Sequence, residues 1–372
     1  MKPSIIPEEY LSLSQNEIAE RILFAKHKLG KQIVILGHNY QREEVLRHAD
    51  FLGDSYKLCQ LAMKQSAKYI IFCGVHFMAE SADILSRHEQ IVLLPDLKAG
   101  CSMADMADIR GVESAWRDIS LLSGEYLPIT YINSSASIKA FCGKNNGYTC
   151  TSSNAVKMFG KALLDGKRII FFPDEHLGKY ASLKAGASES EILQWNPSKH
   201  FGGNSEEGIR NARVILWKGF CYVHQQFRKE HITELRNKYK DIKILVHPEC
   251  NIDVLNSADY IGSTEYIIQT VANSSPGTKW AIGTEIHLVD RLRRSFPDRM
   301  ILSVSQNMCL CSTMYRITPP NLLWVLEALI NGEIINQIKV PEDTARYARL
   351  ALNRMLLITN NNQKIEMLAE VD

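Results

Sequence analysis

The sequence predicts an α/β protein built from three similar units, each a small parallel sheet covered by helices. Two observations support this fold class. Apolar runs with the length of buried strands alternate with helix-length segments along most of the 372 residues, which is typical of parallel sheets. The same order of features also recurs three times at matched distances, which indicates repeated copies of one structural unit.

Composition and charge are those of an ordinary globular protein. Hydrophobic residues make up 45% of the chain and charged residues 23%. The net charge of +2 gives no electrostatic support for binding nucleic acid or an anionic membrane. We find no apolar stretch that could span a bilayer and no secretory signal. Nine cysteines without an export signal predict reduced thiols or metal ligands in the cytoplasm.

The repeat divides the chain into five predicted parts. Ser14 and Glu17 fit a capping box, so a first helix should run to about Gly30 and precede the first unit. The predicted parts are an N-terminal helical extension (1–30), a first domain (31–112), a second domain (113–222) with an insertion (178–208), a third domain (223–318) and C-terminal helices (319–372).

Within each unit we expect strands and helices to alternate. The first unit has predicted strands at 32–36, 69–73 and 91–94, with helices at 53–64 and 78–85. The second has strands starting at 128, 168 and 213, and a helix starting near 150–154. The third has strands at 243–247, 280–284 and 300–304, with helices opening at 262–264 and covering 289–294. Pro341 suits the first position of a long final helix.

Distances between corresponding residues support the threefold repeat. His38 and Cys101 are 63 residues apart, and His247 and Cys311 are 64 residues apart. The corresponding distance in the second unit, from Tyr131 to Cys221, is 90 residues. The additional length equals roughly one insertion, which we assign to 178–208.

Polar side chains follow the first strand of every unit. Because ligands bind beyond the carboxyl ends of parallel strands, we expect these side chains to line one site. Each pair is spaced at i and i+2, so its two members lie on one side of an extended chain. The pairs are His38 with Tyr40, Tyr131 with Asn133, and His247 with Glu249.

Hydroxyl side chains stand at the start of the next helix in each unit. Ser55, Ser152, and Ser263 with Thr264 hold these positions. A helix N-terminus with a hydroxyl group binds carboxylates and phosphates well, whereas a single serine there is usually only a cap. The threefold recurrence favours an anion-binding site.

Cysteines follow the last strand of each unit. Cys101, Cys221 and either Cys309 or Cys311 are the candidate metal ligands, while Cys59 and Cys73 lie in apolar segments. The wide separation excludes the compact runs of bacterial ferredoxins and the paired spacing of structural zinc sites. Three thiolates on a four-iron cluster would leave one iron free to act as a Lewis acid.

Six motifs resemble those of the quinolinate synthase family. They occur in the family's order, and the resemblance covers about residues 30–358. The motifs are Gly37-His-Asn-Tyr-Gln41, Gly53-Asp-Ser55, Phe72-Cys-Gly-Val-His-Phe-Met-Ala-Glu80, Gly219-Phe-Cys-Tyr-Val-His-Gln-Gln-Phe227, His247-Pro-Glu-Cys250 and Gly262-Ser-Thr264.

The resemblance implies three pseudo-symmetric αβα domains around a central [4Fe-4S] cluster that is held by one cysteine from each domain. Cys101 and Cys221 match two of these ligands. The family places a methionine three residues after the third ligand, and Met314 therefore favours Cys311 over Cys309. The implied activity is a transferase reaction of NAD biosynthesis, in which iminoaspartate and dihydroxyacetone phosphate give quinolinate, phosphate and water.

The resemblance also implies roles for the remaining site residues. The catalytic candidates are Glu249, His224, His38, Tyr40 and Tyr131. Substrate binding is expected from these strand-end residues together with Asn133, His247, Ser55, Ser152, Ser263 and Thr264. An L-aspartate oxidase is a possible functional partner, because it would supply the unstable imine.

Two other functions fit parts of the sequence. One is a [4Fe-4S] hydro-lyase acting on another small carboxylate, which assays with the two implied substrates would distinguish. The other is an iron-sulfur sensor without enzymatic activity. Such a sensor should lack the anion-binding hydroxyls and would normally carry a nucleic-acid surface, for which the charge balance gives no support.

Overall fold

Three separate sheets form the framework of the protein. The structure is a computed structural model that describes residues 5–123, 126–306 and 309–359. The strands of the first sheet are β1 (Ile33–His38), β2 (Phe51–Gly53), β3 (Tyr69–Cys73), β4 (Ile91–Leu93) and β14 (Gln337–Ile338). Those of the second are β5 (Tyr126–Tyr131), β6 (Tyr148–Cys150), β7 (Arg168–Phe172), β8 (Ile192–Trp195) and β9 (Val214–Trp217). Those of the third are β10 (Lys243–Val246), β11 (Tyr260–Ile261), β12 (Lys279–Gly283) and β13 (Met300–Ser303).

The three sheets share one strand order. Reading across each sheet, the fourth strand of the unit pairs with the third, the third with the first and the first with the second. The orders are β4-β3-β1-β2, β9-β7-β5-β6 and β13-β12-β10-β11, and all of these pairs are parallel. The predicted α/β class with three repeated units is therefore confirmed.

Two edge strands depart from the repeat. The parallel strand β8 comes from the longer middle unit and extends the second sheet beside β9. The antiparallel strand β14 comes from the C-terminal part and extends the first sheet beside β4. Residues 178–184 of the predicted insertion continue a helix that the other units also have, so the additional structure begins after that helix.

Helices cover the sheets and form both ends of the chain. Their bounds are α1 (Glu8–Leu11), α2 (Gln15–Leu29), α3 (Glu43–Leu46), α4 (Ser55–Lys64), α5 (His76–Leu85), α6 (Ser102–Asp105), α7 (Ile109–Ser123), α8 (Ala136–Lys144), α9 (Ala155–Leu164), α10 (Glu175–Lys184), α11 (Glu206–Asn211), α12 (Lys229–Lys238), α13 (Ile252–Asn256), α14 (Thr264–Ala272), α15 (Ile286–Ser295), α16 (Pro319–Ile330) and α17 (Glu342–Thr359). None of the helices in the described ranges is long and apolar enough to cross a membrane.

Both faces of the sheets are buried, which explains the continuous apolar runs in the sequence. In the second sheet, Phe171 packs into one hydrophobic cluster, whereas its neighbours Ile170 and Phe172 pack into another on the opposite face. The third sheet divides in the same way, with Ile244 and Leu245 in different clusters. Alternate side chains of a strand point to opposite faces, so each strand contributes to two cores.

The terminal helices are packed against the units. Helix α2 begins after Ser14, whose Oγ accepts a hydrogen bond from Glu17 N, as the capping motif predicts. Arg21 of α2 forms a bidentate pair with Glu327 of α16, which ties the two ends of the chain together over the first sheet. Residues 1–4 and 360–372 of the predicted terminal segments lie outside the described residues.

Helix α17 lies directly against α8, and a glycine makes this approach possible. A Cβ atom at Gly143 would lie 1.8 Å from the main-chain oxygen of Tyr347. We expect Gly143→Ala to lower the free energy of unfolding by about 1–3 kcal/mol, because the two helix backbones would have to separate. Denaturant unfolding of the wild-type and variant proteins measures this difference.

Gly160 of α9 provides the matched control. Among the described atoms, none lies within 4 Å of a Cβ at this position. Gly160→Ala should therefore raise the free energy of unfolding by about 0.5–1 kcal/mol through lower backbone entropy of the unfolded chain. Equal effects of the two substitutions would contradict the packing of α17 on α8.

Candidate active site

The carboxyl ends of the first strands meet at one buried cavity. His38 ends β1, Tyr131 ends β5 and His247 follows β10, and all three line this cavity. The other predicted site residues that line it are Tyr40, Ser55, Cys101, Asn133, Ser152, Cys221, His224, Glu249, Thr264 and Cys311. Of the predicted set, Ser263 is absent from the lining. The repeat therefore brings residues from three distant parts of the sequence together.

The Glu249 carboxylate lies at the centre of a buried polar network. Tyr131 Oη donates to Glu249 Oε1 over 2.6 Å. His224 Nδ1 lies 2.8 Å from Glu249 Oε2. His247 Nδ1 is 3.8 Å from the same oxygen, and its ring stacks on that of His224 with centroids 4.6 Å apart.

A threonine continues the network on the other side of His224. Thr284 Oγ1 lies 3.3 Å from His224 Nε2 and 2.7 Å from Tyr40 Oη. The Tyr40 ring in turn meets the His38 ring edge to face, at 5.0 Å between centroids. The polar contacts thus run from Tyr131 in the second unit to Tyr40 in the first, through residues of the third.

Burial sets the protonation states in the cavity. Burial lowers the pKa of His38 to about 3, with a further contribution from the Arg291 charge. It also lowers the pKa of His247 to about 3, although Glu249 opposes this shift. Burial raises the pKa of Tyr40 and Tyr131 well above 10. At neutral pH His38 and His247 are therefore neutral imidazoles, and Tyr40 and Tyr131 are protonated phenols.

Burial alone would raise the pKa of Glu249. Electrostatic interactions with His247 and His224 and the hydrogen bond from Tyr131 outweigh burial and lower this pKa. Glu249 is only 3% exposed, so these partners are what keeps a carboxylate charged in the interior. A buried carboxylate that its partners keep ionised is a group that can accept a proton.

Hydroxyl groups at the starts of α4 and α14 line the cavity, but they belong to the first helical residue and not to the cap. Ser55 and Thr264 are the first residues of α4 and α14, each one position after the cap. The caps are Asp54, which accepts from Lys57 N, and Ser263, which accepts from Tyr266 N. Ser263 Oγ is thus engaged within the helix, and Ser263 does not line the cavity.

The second unit differs at this point. Helix α9 starts later, at Ala155, so Ser152 lies in the turn before the helix rather than on it. Ser152 still lines the cavity together with the preceding Thr151. Asn133 lies nearby, and its Oδ1 is buried without a hydrogen-bond partner in the described part of the chain. An unpartnered buried amide oxygen at a cavity is a position that a ligand donor can fill.

The three cysteine loops are held by one repeated hydrogen bond. The first residue of the helix that follows the third strand donates its N–H to the carbonyl two residues before each cysteine. These bonds are His76 N to Ala99 O (2.7 Å), Glu175 N to Gly219 O (2.9 Å) and Ile286 N to Cys309 O (3.1 Å). Cys311 therefore corresponds to Cys101 and Cys221, whereas Cys309 corresponds to Ala99 and Gly219.

Exposure separates the same three cysteines from the rest. Cys101, Cys221 and Cys311 are partly exposed and line the cavity, whereas the other six cysteines are buried. Burial raises the pKa of all three thiols, to about 12 for Cys101. In each case the N–H of the residue three positions later opposes this shift, which favours the thiolate that a metal requires.

The spacing of the ligand atoms distinguishes two kinds of metal site. A single ion held by three thiolates at about 2.3 Å would bring their sulfur atoms within roughly 4 Å of one another. Within the described ranges, only Cys221, His224 and Glu249 place three ligand atoms within 4.8 Å of one another. The sulfur atoms of the three cysteines therefore do not all lie as close together as a single ion shared by three thiolates requires.

Comparison with known proteins agrees with this geometry. The family profile described as quinolinate synthetase A protein matches residues 20–357. The quinolinate synthase of Herpetosiphon aurantiacus is 52% identical over 359 residues, which are 95% of this chain and 96% of the relative. The chain belongs to the quinolinate synthase family. The quinolinate synthase of Acidobacterium capsulatum is 51% identical, over 94% of this chain and 95% of the relative. That of Corynebacterium glutamicum is 47% identical, over 96% and 91%.

Three residues of this family member were not predicted to belong to the site. Thr284 links His224 to Tyr40, as described above. Asn39 Nδ2 donates to Thr264 Oγ1 over 3.0 Å, and Arg291 Nη2 donates to Asn39 Oδ1 over 3.1 Å. These contacts connect a partly buried guanidinium to the hydroxyl at the start of α14. The sequence could have indicated Asn39, because this residue lies between the predicted site residues His38 and Tyr40.

A larger cleft lies away from this cavity. It has a volume of about 620 Å³, opens to solvent between α10 and α12–α13, and contains none of the predicted site residues. Its wall carries mixed surface charges, including Glu175, Lys179 and Arg228. The smaller buried cavity is the better candidate, because it holds the converging polar groups and perturbed pKa values.

The lowered pKa of His247 makes a prediction about stability. An unfolded histidine binds a proton below about pH 6.5, but folded His247 does so only near pH 3. The free energy of unfolding should therefore fall as the pH decreases through this window. His247→Gln should reduce the slope by about 1.4 kcal/mol per pH unit between pH 6 and pH 4.

Denaturant unfolding at several pH values measures that slope. The folded-state pKa values of His38, His48 and His176 are also lowered, so the wild-type slope contains several contributions and only the difference is informative. His27→Gln, on the exposed side of α2, is the matched control and should keep the wild-type slope. An unchanged slope in His247→Gln would show that folded His247 is protonated.

Proposed function

We propose that this chain condenses iminoaspartate with dihydroxyacetone phosphate to form quinolinate, with release of phosphate and two molecules of water. The product is a precursor of NAD, and the reaction makes the chain a transferase. The observation that carries the proposal is the buried Glu249 network, which joins residues of all three units at the cavity of a quinolinate synthase family member. The domain boundaries predicted from the sequence are proposed with it, although the one after residue 112 falls within α7 (Ile109–Ser123).

Substrate binding is assigned to hydroxyl and amide groups rather than to lysines or arginines in the cavity wall. Ser55 and Thr264 lie in the first turns of α4 and α14, where the positive end of the helix dipole attracts carboxylate or phosphate oxygens. Ser152 offers a third hydroxyl group. Asn133 can donate or accept, and its Oδ1 lacks a partner in the described residues.

Proton transfers are assigned to the network around Glu249. The Glu249 carboxylate can accept a proton from a bound substrate, because its partners keep it ionised although it is buried. His224, His38 and Tyr40 can pass or donate protons, and Tyr131 orients the carboxylate through its 2.6 Å hydrogen bond. His247 supports the His224 ring by stacking.

The proposed cofactor is a [4Fe-4S] cluster bound by Cys101, Cys221 and Cys311. When it is bound by three thiolates, such a cluster supplies an iron with an open coordination position, which serves as a Lewis acid in dehydration. Support comes from the matched cysteine loops and from thiol separations that exceed those of a single-ion site. The cavity polar groups stand around these three thiols.

The setting of the reaction follows from its chemistry. Iminoaspartate is unstable in water, so an enzyme that oxidises L-aspartate must supply it close to the point of use. We propose L-aspartate oxidase as the functional partner and the cytoplasm as the location. No nucleic acid or membrane partner is included in the proposal.

The cofactor assignment predicts different outcomes for two neighbouring cysteines. Cys311→Ser should abolish the cluster, because one of three ligands is lost. Cys309→Ser is the matched control and should keep most of it, because Cys309 is buried and corresponds to Ala99 and Gly219. The cluster content of both variants is measured by iron and sulfide analysis and by visible absorbance after anaerobic purification. Equal cluster content in the two variants would contradict the ligand assignment.

The acid–base assignment predicts the effect of an isosteric change. Glu249→Gln keeps the side-chain shape but removes the proton acceptor, so turnover should fall at least ~100-fold with an intact cluster. Anaerobic quinolinate formation from freshly generated iminoaspartate and dihydroxyacetone phosphate is the assay. Glu207→Gln, exposed on α11, is the control and should match the wild-type protein.

The same assay tests the proposed function itself. Wild-type protein with a full cluster should form quinolinate and phosphate in equal amounts. Absence of quinolinate would contradict the proposed function. The hydro-lyase alternative would then be assayed with other small hydroxy acids. Near-normal turnover of Glu249→Gln would instead remove only Glu249 from the mechanism.

A further inference from the structure

The described wall of the candidate active site contains no lysine and no arginine, although both proposed substrates are anions. Compensating charge must then come from dipoles in the wall or from a cation behind it, where a low dielectric keeps the attraction strong. Arg291 of α15 is such a cation. A single side chain, that of Asn39, connects it to Thr264 in the cavity wall.

The charge of Arg291 is not neutralised by a direct partner. Arg294, on the same helix, pairs with Glu43, whereas no carboxylate within the described ranges forms an ion pair with Arg291. Its Nη1 is also buried without a hydrogen-bond partner in those ranges. Although burial lowers the pKa of Arg291, a guanidinium stays protonated in proteins. A positive charge therefore remains directly behind the cavity wall.

The donor-only chemistry of arginine determines the direction of both hydrogen bonds. Arg291 Nη2 lies 3.1 Å from the Asn39 amide, and the amide atom facing it must be the oxygen, because a guanidinium cannot accept. The amide nitrogen of Asn39 then faces Thr264 Oγ1 at 3.0 Å and donates to it. The Thr264 oxygen thus accepts from behind the wall, and its single hydrogen is left for a group in the cavity.

The repeat indicates that the fold does not require this connection. Asn39 lies between the two members of the polar pair that follows β1. The corresponding residues are Ile132 in the second unit and Pro248 in the third, and neither side chain can form hydrogen bonds. Both of those units still bring their polar pairs to the cavity. The Asn39 amide therefore has a role beyond ending the strand, and its partner Thr264 belongs to a different unit.

We propose that Arg291 and Asn39 are positioning residues that make the Thr264 hydroxyl group a dedicated donor to an anionic group of the substrate. Arg291 fixes the Asn39 amide, and Asn39 fixes the Thr264 hydroxyl, so the positive charge acts on the cavity through two aligned hydrogen bonds. The ligand chemistry is a carboxylate or phosphate oxygen. This inference rests on the proposed function, because it assigns a binding role within the same cavity.

Anion binding to the cluster-loaded protein measures the effect without turnover. Inorganic phosphate and succinate are titrated separately by anaerobic calorimetry. In Arg291→Met the Kd of at least one anion should rise about 10- to 100-fold, the size of a lost hydrogen bond to a charged group. A rise for phosphate assigns the phosphate group of dihydroxyacetone phosphate to Thr264, and a rise for succinate assigns a carboxylate of iminoaspartate. Arg294→Met, exposed on the same helix, is the matched control and should bind as the wild-type protein does.

Asn39→Leu separates the connection from the charge. This variant keeps Arg291 but interrupts the contact with Thr264, so its Kd should rise about as far as that of Arg291→Met. An effect of charge alone would leave Asn39→Leu near the wild-type value. Iron content and melting temperature are measured for every variant. Arg291→Gln and Asn39→Ala replace the first choices if these fail to fold.

Turnover provides a second measurement, because a lost binding contact and a displaced reacting group affect different constants. KM for the substrate identified by the anion titrations should rise by the same factor, with kcat nearly unchanged. In a double-mutant cycle with Thr264→Val, the combined loss should be much smaller than the product of the single losses.

Wild-type affinity for both anions in Arg291→Met or in Asn39→Leu would overturn the proposal, as would multiplicative losses in the cycle. A wild-type protein that binds neither anion would overturn it as well. A protein that binds the anions but forms no quinolinate would instead contradict the proposed function, so the two failures are distinguishable.

Discussion

The buried carboxylate of Glu249 is the constraint on which the arrangement of the units depends. A charged group at 3% exposure is stable only if its partners compensate for the lost water. Tyr131 comes from the second unit, and His224 and His247 come from the chain around the third. Docking of the second unit therefore adds the Tyr131 hydrogen bond to the two histidines that surround Glu249 within the third unit.

Much of the fold could be predicted because the central strands are buried on both faces and so read as continuous apolar runs. The predicted strand at 69–73 coincides with β3, and that at 168–172 with β7. The second strand of each unit, such as β11 with two residues, was not predicted. A strand of two or three residues is too short to show an alternating pattern of apolar and polar residues in the sequence. β11 is defined only by its pairing with β10.

The site could be predicted where the signal was local and not where it depended on packing. The polar pairs at i and i+2 after the first strands gave His38, Tyr131 and Glu249 correctly as cavity residues. Ser263 caps its helix and does not line the cavity. A hydroxyl before a helix serves either the helix or a ligand, and the sequence does not distinguish the two. Thr284 and Arg291 were missed because their partners, Tyr40 and Asn39, are more than 240 residues away.

The cysteines show why the site requires all three units. In each sheet the first strand is central, whereas the fourth strand lies two positions away from it, so the chain after the fourth strand must return to reach the cavity. The hydrogen bond from the helix after the third strand, as from His76 N to Ala99 O, holds the returning loop in place. Each unit thereby delivers one partly exposed thiol, and no unit delivers two within the described residues. Because the thiols come from different units, binding of the proposed cluster would be coupled to docking of the units.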